Sequence, residues 1–333
     1  MMQKTLHVGL IFLLIAASIA PSASSTSSTV YPQRSMSRIL YVGGSGPENY
    51  TQIQQAIDNA SDGDIVYVYH GVYSEYHPSG QWGYCVQINK SIALIGEDPT
   101  KTIINGTGQG IVVKVVANSV DISGFTIQNS GGALYGGIRI MDYYMQTTIH
   151  NNILRNNSAG IYIFLNRDVT IQNNTIEGND DGIIFFDGRT CFISHNLIRN
   201  NTRGLSLTYG DYNGIPVDCI VRDNIIRDNA VGVAAENTRF SIRFNNFIRN
   251  QKQAEVRKGV YLSSLLLLLK IRVEWYKNYW DDWKIPIPRP VLGVGVIAIQ
   301  GIHGDLPIVV YPCVEIDRYP HRTSYTIQGF PDT

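Results

Sequence analysis

Five segments of this chain repeat one template, and that repeat constrains the fold more than any other feature. Residues 149–163, 171–185 and 193–207 are its clearest copies, and two more start at Val221 and Ile242. An aliphatic residue opens each copy, with Asn three and eight residues later: Asn152/Asn157, Asn174/Asn179, Asn196/Asn201, Asn224/Asn229 and Asn245/Asn250. Gly follows at eleven (Gly160, Gly182, Gly204, Gly232), Gln253 replaces it in the last copy, and apolar residues stand at twelve and fourteen. Ile149, Ile171 and Ile193 are 22 residues apart, the length of one solenoid coil, and a repeat of that period dictates a stacked architecture.

The coils read as strands. Ile122, Ile149, Ile171, Ile193, Val221 and Ile242 are equivalent openings, matched five residues on by Ile127, Leu154, Ile176, Ile198, Ile226 and Phe247. Both columns alternate with polar residues, as half-buried strands do, and no coil carries eleven residues of helical periodicity. A three-sided parallel β-helix follows. Stacked Asn side chains fit a turn, where their amides bond to neighbouring coils and satisfy turn backbone. Glycine at position eleven predicts a tight corner with positive φ.

The chain divides into four stretches. Lys4, the apolar run 6–20 and small residues around 20–23 read as an export signal over 1–23. Residues 24–38 form a Ser/Thr-rich spacer, 39–257 the solenoid with regular coils over 120–256, and 258–333 a C-terminal cap or wrap. Residues 51–60 place Ile53, Ala56, Ile57 and Ala60 on one helical face, suited to closing the open end of the first coil. Seven Asn-x-Ser/Thr sequons accord with export, although an Asn-rich chain also makes them by chance. Lys plus Arg and Asp plus Glu balance at 27 each, leaving no net field to recruit nucleic acid. No stretch after the signal is long enough for an integral membrane span. Cys191 and Cys219 occupy one inward slot in adjacent coils, ~5 Å apart. That spacing permits a disulfide and favours reduced packing thiols.

Function tends to sit where a repeat is interrupted or decorated. The Gly-rich insertion 130–137 carries Tyr135, and the insertion 208–218 carries Tyr209, Asp211 and Tyr212. Tyr162, Phe164 and Phe186 point outward if Ile161 and Ile163 point inward, with Arg139 and Met141 in the same columns one coil earlier. This aromatic face could stack sugars or be covered; the apolar region after Arg257 is the expected cover.

Residues 51–68 (TQIQQAIDNASDGDIVYV), 88–98 (INKSIALIGED), 121–130 (DISGFTIQNS) and 278–283 (NYWDDW) add a resemblance. In this order they resemble exported right-handed parallel β-helix proteins of the pectin-lyase-like superfamily, closest to the NosD-like, CASH-type proteins common in archaea. The late Asp317-Arg318-Tyr319-Pro320 matches more loosely. The resemblance implies an all-β, right-handed parallel β-helix solenoid with a short N-terminal capping helix and an irregular C-terminal cap. Its members include sugar lyases and hydrolases, carbohydrate binders, surface proteins and a periplasmic factor for copper-enzyme maturation, so it leaves activity open.

A hydrolase of this shape needs converging carboxylates. The candidates are Asp180 and Asp181, with Asp187 and Arg189 after the same coil and His195 on the next. Asp180 and Asp181 occupy the place of Ser158-Ala159 and Thr202-Arg203 in sister coils, which predicts a solvated turn. Arg155, Arg199, Arg227 and Arg249 read as an outward structural column. The histidines are scattered, so neither a metal nor a cofactor is expected. The sequence therefore points to an exported protein at the cell surface or outside the cell that binds or presents to polysaccharide or another surface glycan. A polysaccharide lyase or hydrolase is the alternative, and a purely structural surface spacer a second.

Overall fold

The structure, a computed structural model, describes residues 37–80, 82–132, 135–208, 219–237, 239–261, 273–283, 285, 287–299, 306–327 and 330. Among them, strands assemble into three sheets of ten, nine and ten strands that run the length of a right-handed parallel β-helix of about eight turns. The first sheet runs from Ile39–Val42 to Glu274–Tyr276, the second from Gly71–Tyr73 to Tyr279–Trp280, and the third from Tyr84–Ile88 to the hairpin Arg289–Ile299 and Leu306–Asp317. Every pairing between these strands is parallel except within that hairpin.

The predicted columns are the observed ones. Ile122, Ile149, Ile171, Ile193, Val221 and Ile242 pair in register and are all fully buried. The second-sheet column Ile127, Leu154, Ile176, Ile198, Ile226 and Phe247 is equally enclosed. Each such side chain contributes about 1.5–3 kcal/mol by leaving water, and the next coil provides its cover.

Two asparagine ladders run beside this core. Each Asn of the first donates its backbone N–H and its side-chain Nδ2 to the Oδ1 of the next, as Asn174 does to Asn196 at 3.0 Å for both bonds. The series Asn152, Asn174, Asn196, Asn224, Asn245 continues to Asn278. The second passes through Asn157, Asn179, Asn201, Asn229 and Asn250. Every Asn-to-Asn bond runs toward the C-terminal end, so each ladder needs an acceptor there, and each finds an aspartate. Asn278 bonds to Asp317, while Asn250 bonds to Gln253, whose amide bonds to Asp281.

The glycines work differently from expectation. Gly160, Gly182, Gly204 and Gly232 are absent from the left-handed region. A Cβ on Gly182 would instead lie 2.4 Å from the carbonyl oxygen of Gly204, and one on Gly160 2.6 Å from that of Gly182. Coil stacking excludes the side chain. The positive φ values fall largely on polar corner residues such as Asn151, Asn156, Asn173 and Asn200, residue types that tolerate this region best.

The predicted helix is Ile53–Asn59, with Ile53, Ala56 and Ile57 buried. Gln54 Oε1 accepts from the Gln87 N–H at 2.8 Å and its Nε2 donates to the Gln87 carbonyl, so one amide pairs with the edge strand Tyr84–Ile88 as a neighbouring strand would. Lys90 Nζ donates to the carbonyls of Ile57, Asp58 and Ala60, closing the helix C-terminus.

Strand pairing continues beyond residue 257, where the sequence leaves its template. Trp275 pairs with Ile242, and Trp280 with Phe247 in a 4.2 Å ring stack. The NYWDDW segment therefore builds one more coil. Cys191 and Cys219 pair in register inside the core as free thiols, and burial together with the neighbouring thiol pushes Cys191 well above its ordinary value. Residues 1–36, read as signal and spacer, and the leucine run 265–269 lie outside the described residues.

Candidate functional site

The outer face of the third sheet carries most of the side chains that the scaffold does not use. Its central outward column runs Gln87, Lys114, Arg139, Tyr162, Ile184, Ser206, Ala234 and Glu255, one residue per coil. A parallel column brings Phe164 and Phe186 together at 5.3 Å between ring centroids. Tyr162, Phe164 and Phe186 are half-buried. Arg289–Ile299 pairs beside Lys252–Tyr261 and so extends the sheet in its own plane, with three strands between it and Phe186. The described C-terminal strands thus add to the face, where a cover was expected.

Composition changes along the face. At the N-terminal end, the Arg139 guanidinium carbon lies 4.2 Å from the Trp82 ring centroid and 4.4 Å from that of Tyr162. Tyr135 meets Trp82 edge-on at 6.0 Å, and Lys114 Nζ stands 5.2 Å from the Tyr84 ring. Further along, Asp181, Arg203, Ser206, Glu236, Glu255 and Arg257 line a cavity of about 210 Å³.

The carboxylate candidates separate. Asp180 is exposed in the corner, but Asp181 begins the strand Asp181–Phe186 and is only 5% exposed. Arg203 grips Asp181 through Nε at 2.6 Å and Nη2 at 2.7 Å, and the Ser206 hydroxyl donates to the same carboxylate. The solvated turn expected for Asp181 is thus a buried carboxylate paired with a half-exposed arginine of the next coil, and the carboxylate pushes Arg203 above its ordinary value. Asp187 lies beyond the far end of the strand in a left-handed corner, and Arg189 opens the following first-sheet strand. His195 occupies the next corner, its N–H bonded to the Asp223 carbonyl. These five residues do not converge. The arginine column is also one residue out: Ile248 pairs with Arg227, and Arg249 adopts φ 49°. Tyr209, Asp211 and Tyr212 lie outside the described residues.

Sequence reasoning passed over Lys114, Trp82, Tyr84, Arg203 and Glu255. One signal was available for Lys114: it is the single charge in an otherwise apolar strand, Ile111–Val115.

The fold and its exterior define a β-helix that carries an aromatic patch and a charged cavity on one outer face. The match to the family model described as periplasmic copper-binding protein (NosD) spans residues 57–283. The chain belongs to this family. Among solved structures it resembles pectate lyase Pel9A at 15% identity and TM-score 0.53, covering 73% of this chain and 70% of that one. It also resembles the Azotobacter vinelandii mannuronan C-5 epimerase AlgE4 A-module, at 16% identity and TM-score 0.48, over 76% and 78% of the two chains. None of the curated proteins matches.

The described donor groups do not suit a copper centre. His70, His77 and His150 each face one carboxylate, and no three His, Cys, Asp or Glu side chains converge among the described residues. Burial pushes the Cys85 thiol up to about 11, away from the thiolate form that binds metal.

Proposed function

We propose that this is an exported, surface-associated protein that binds glycan along the outer face of its third sheet. The observation that carries the reading is the aromatic patch of Tyr162 and Phe164 on one coil and Phe186, the register partner of Phe164, on the next: half-buried rings left uncovered by the described C-terminal strands. Strand neighbours stand ~4.8 Å apart, so the rings form a rigid platform that costs little ordering on binding. A periplasmic family and an apolar N-terminal segment support export.

The binding reading is favoured over hydrolysis because two of the acids beside the platform, Asp181 and Glu255, are already engaged. Asp181 is held by Arg203 and Ser206, while Glu255 faces Lys252 at 2.7 Å and Arg257 at 3.6 Å. A glycan array probed with the full chain tests the proposal. Binding that leaves the glycan intact on prolonged incubation supports it. Shortened products that disappear with Asp181→Ala would overturn it in favour of a lyase or hydrolase, and failure to bind any glycan would favour the spacer.

A further inference from the structure

Lys114 is the anomaly of this face. It is 9% exposed, yet it makes neither an ion pair nor a hydrogen bond with any described residue. Its register partner on the next coil is a second cation, Arg139, itself 6% exposed. Like charges directly opposite in paired strands destabilise a sheet, and an enclosed charge is tolerated when an opposite charge meets it. Scaffold needs do not call for it: the corresponding outward positions hold Gln87, Tyr162, Ile184, Ser206 and Ala234. The Tyr84 ring at 5.2 Å recovers part of the lost hydration. Burial, and after it Arg139, push the Lys114 amine below its ordinary value, the expected result when no anion stands beside it. The arginine is different in kind, because Trp82 and Tyr162 fix its guanidinium plane between them.

We infer that Lys114, with Arg139 beside it, is an oxyanion subsite at the end of the aromatic platform, and that the glycan bound there is acidic, carrying a carboxylate or a sulfate. The inference rests on the glycan-binding reading. A pyranose ring would lie on Tyr162 and the phenylalanines while its charged substituent enters beside Lys114, where the low exposure strengthens the contact. Lysine serves as a point charge for either oxyanion, and a guanidinium held flat between rings sets the direction of approach.

The test uses the full chain, Lys114→Met and Lys114→Arg, each titrated with a neutral oligosaccharide, an oligouronate and a sulfated oligosaccharide of equal length. Inorganic sulfate is added alone as a fourth ligand, read by thermal shift. The expected result is a preference for one or both acidic ligands, lost tenfold or more in Lys114→Met and largely kept in Lys114→Arg, with neutral binding unchanged. The oligouronate and sulfated arms distinguish carboxylate from sulfate. Without ligand, Lys114→Met should melt at the same temperature as the wild type or higher, which a lysine serving the scaffold would not allow. Equal affinity for acidic and neutral ligands, or an acidic preference that survives Lys114→Met, overturns the subsite. If sulfate stabilises the wild type but not Lys114→Met while no glycan binds, the subsite stands and the glycan reading fails.

Discussion

Asn278 donates both its backbone N–H and its side-chain Nδ2 to one oxygen of Asp317, at 3.0 and 3.1 Å, and both residues are fully buried. The same carboxylate accepts from Trp280 Nε1 and from the N–H groups of Lys277 and Tyr319. An asparagine in its place would turn its own N–H₂ toward some of these donors. The end of a one-way amide ladder requires a group that only accepts, and a carboxylate is that group.

Asp317→Ala should therefore destabilise the C-terminal coils by on the order of 3 kcal/mol, since several buried donors lose their acceptor at once. Urea unfolding of the purified chain measures this. Asp317→Asn should fall between wild type and Ala.

Gly182→Ala tests the stacking role of the glycine column. A methyl group 2.4 Å from the Gly204 carbonyl forces the coils apart, at a cost of about 1–3 kcal/mol for overpacking. Gly132→Ala is the control, because a Cβ there meets nothing within 4 Å. Its stability should stay within about 0.5 kcal/mol of wild type.

His150 gives a pH dependence. Its Nε2 lies 3.0 Å from Asp121 Oδ1, and this hydrogen bond holds the imidazole above its ordinary value of 6.5 despite partial burial. A raised folded value means that the folded state binds the proton more tightly. The stabilisation is thus complete below the ordinary value and is lost as pH rises through the raised one. Thermal melts across this window should show a decline that Asp121→Asn abolishes.

The fold was legible wherever one residue repeated one geometry. Asn152, Asn174 and Asn196 recur because each bonds to the next, so their spacing records the coil length directly. The last coil was hidden: 33 residues separate Asn245 from Asn278, and the intervening segment breaks the period. Asp181 misled because its sister positions hold Ala159 and Arg203. One position read along the chain suggests a turn, while the same position read across coils shows an acid facing its arginine. The glycine column showed that a constraint existed without its cause, since a close carbonyl and a positive φ exclude side chains alike. On the outer face, sequence alternation located the aromatic platform. It could not show that Lys114 is enclosed beside Tyr84 and that Arg139 is held against Trp82, because both rings come from an earlier, irregular coil.

The most direct test of the glycan-binding face is the affinity of Phe164→Ser/Phe186→Ser for the best array ligand, compared with wild type by calorimetry. Both rings are half-buried on the exterior, so the double variant should keep the wild-type strand content and a cooperative melt. The predicted result is at least a tenfold loss of affinity with the fold intact. Unchanged affinity in a folded variant would contradict the account.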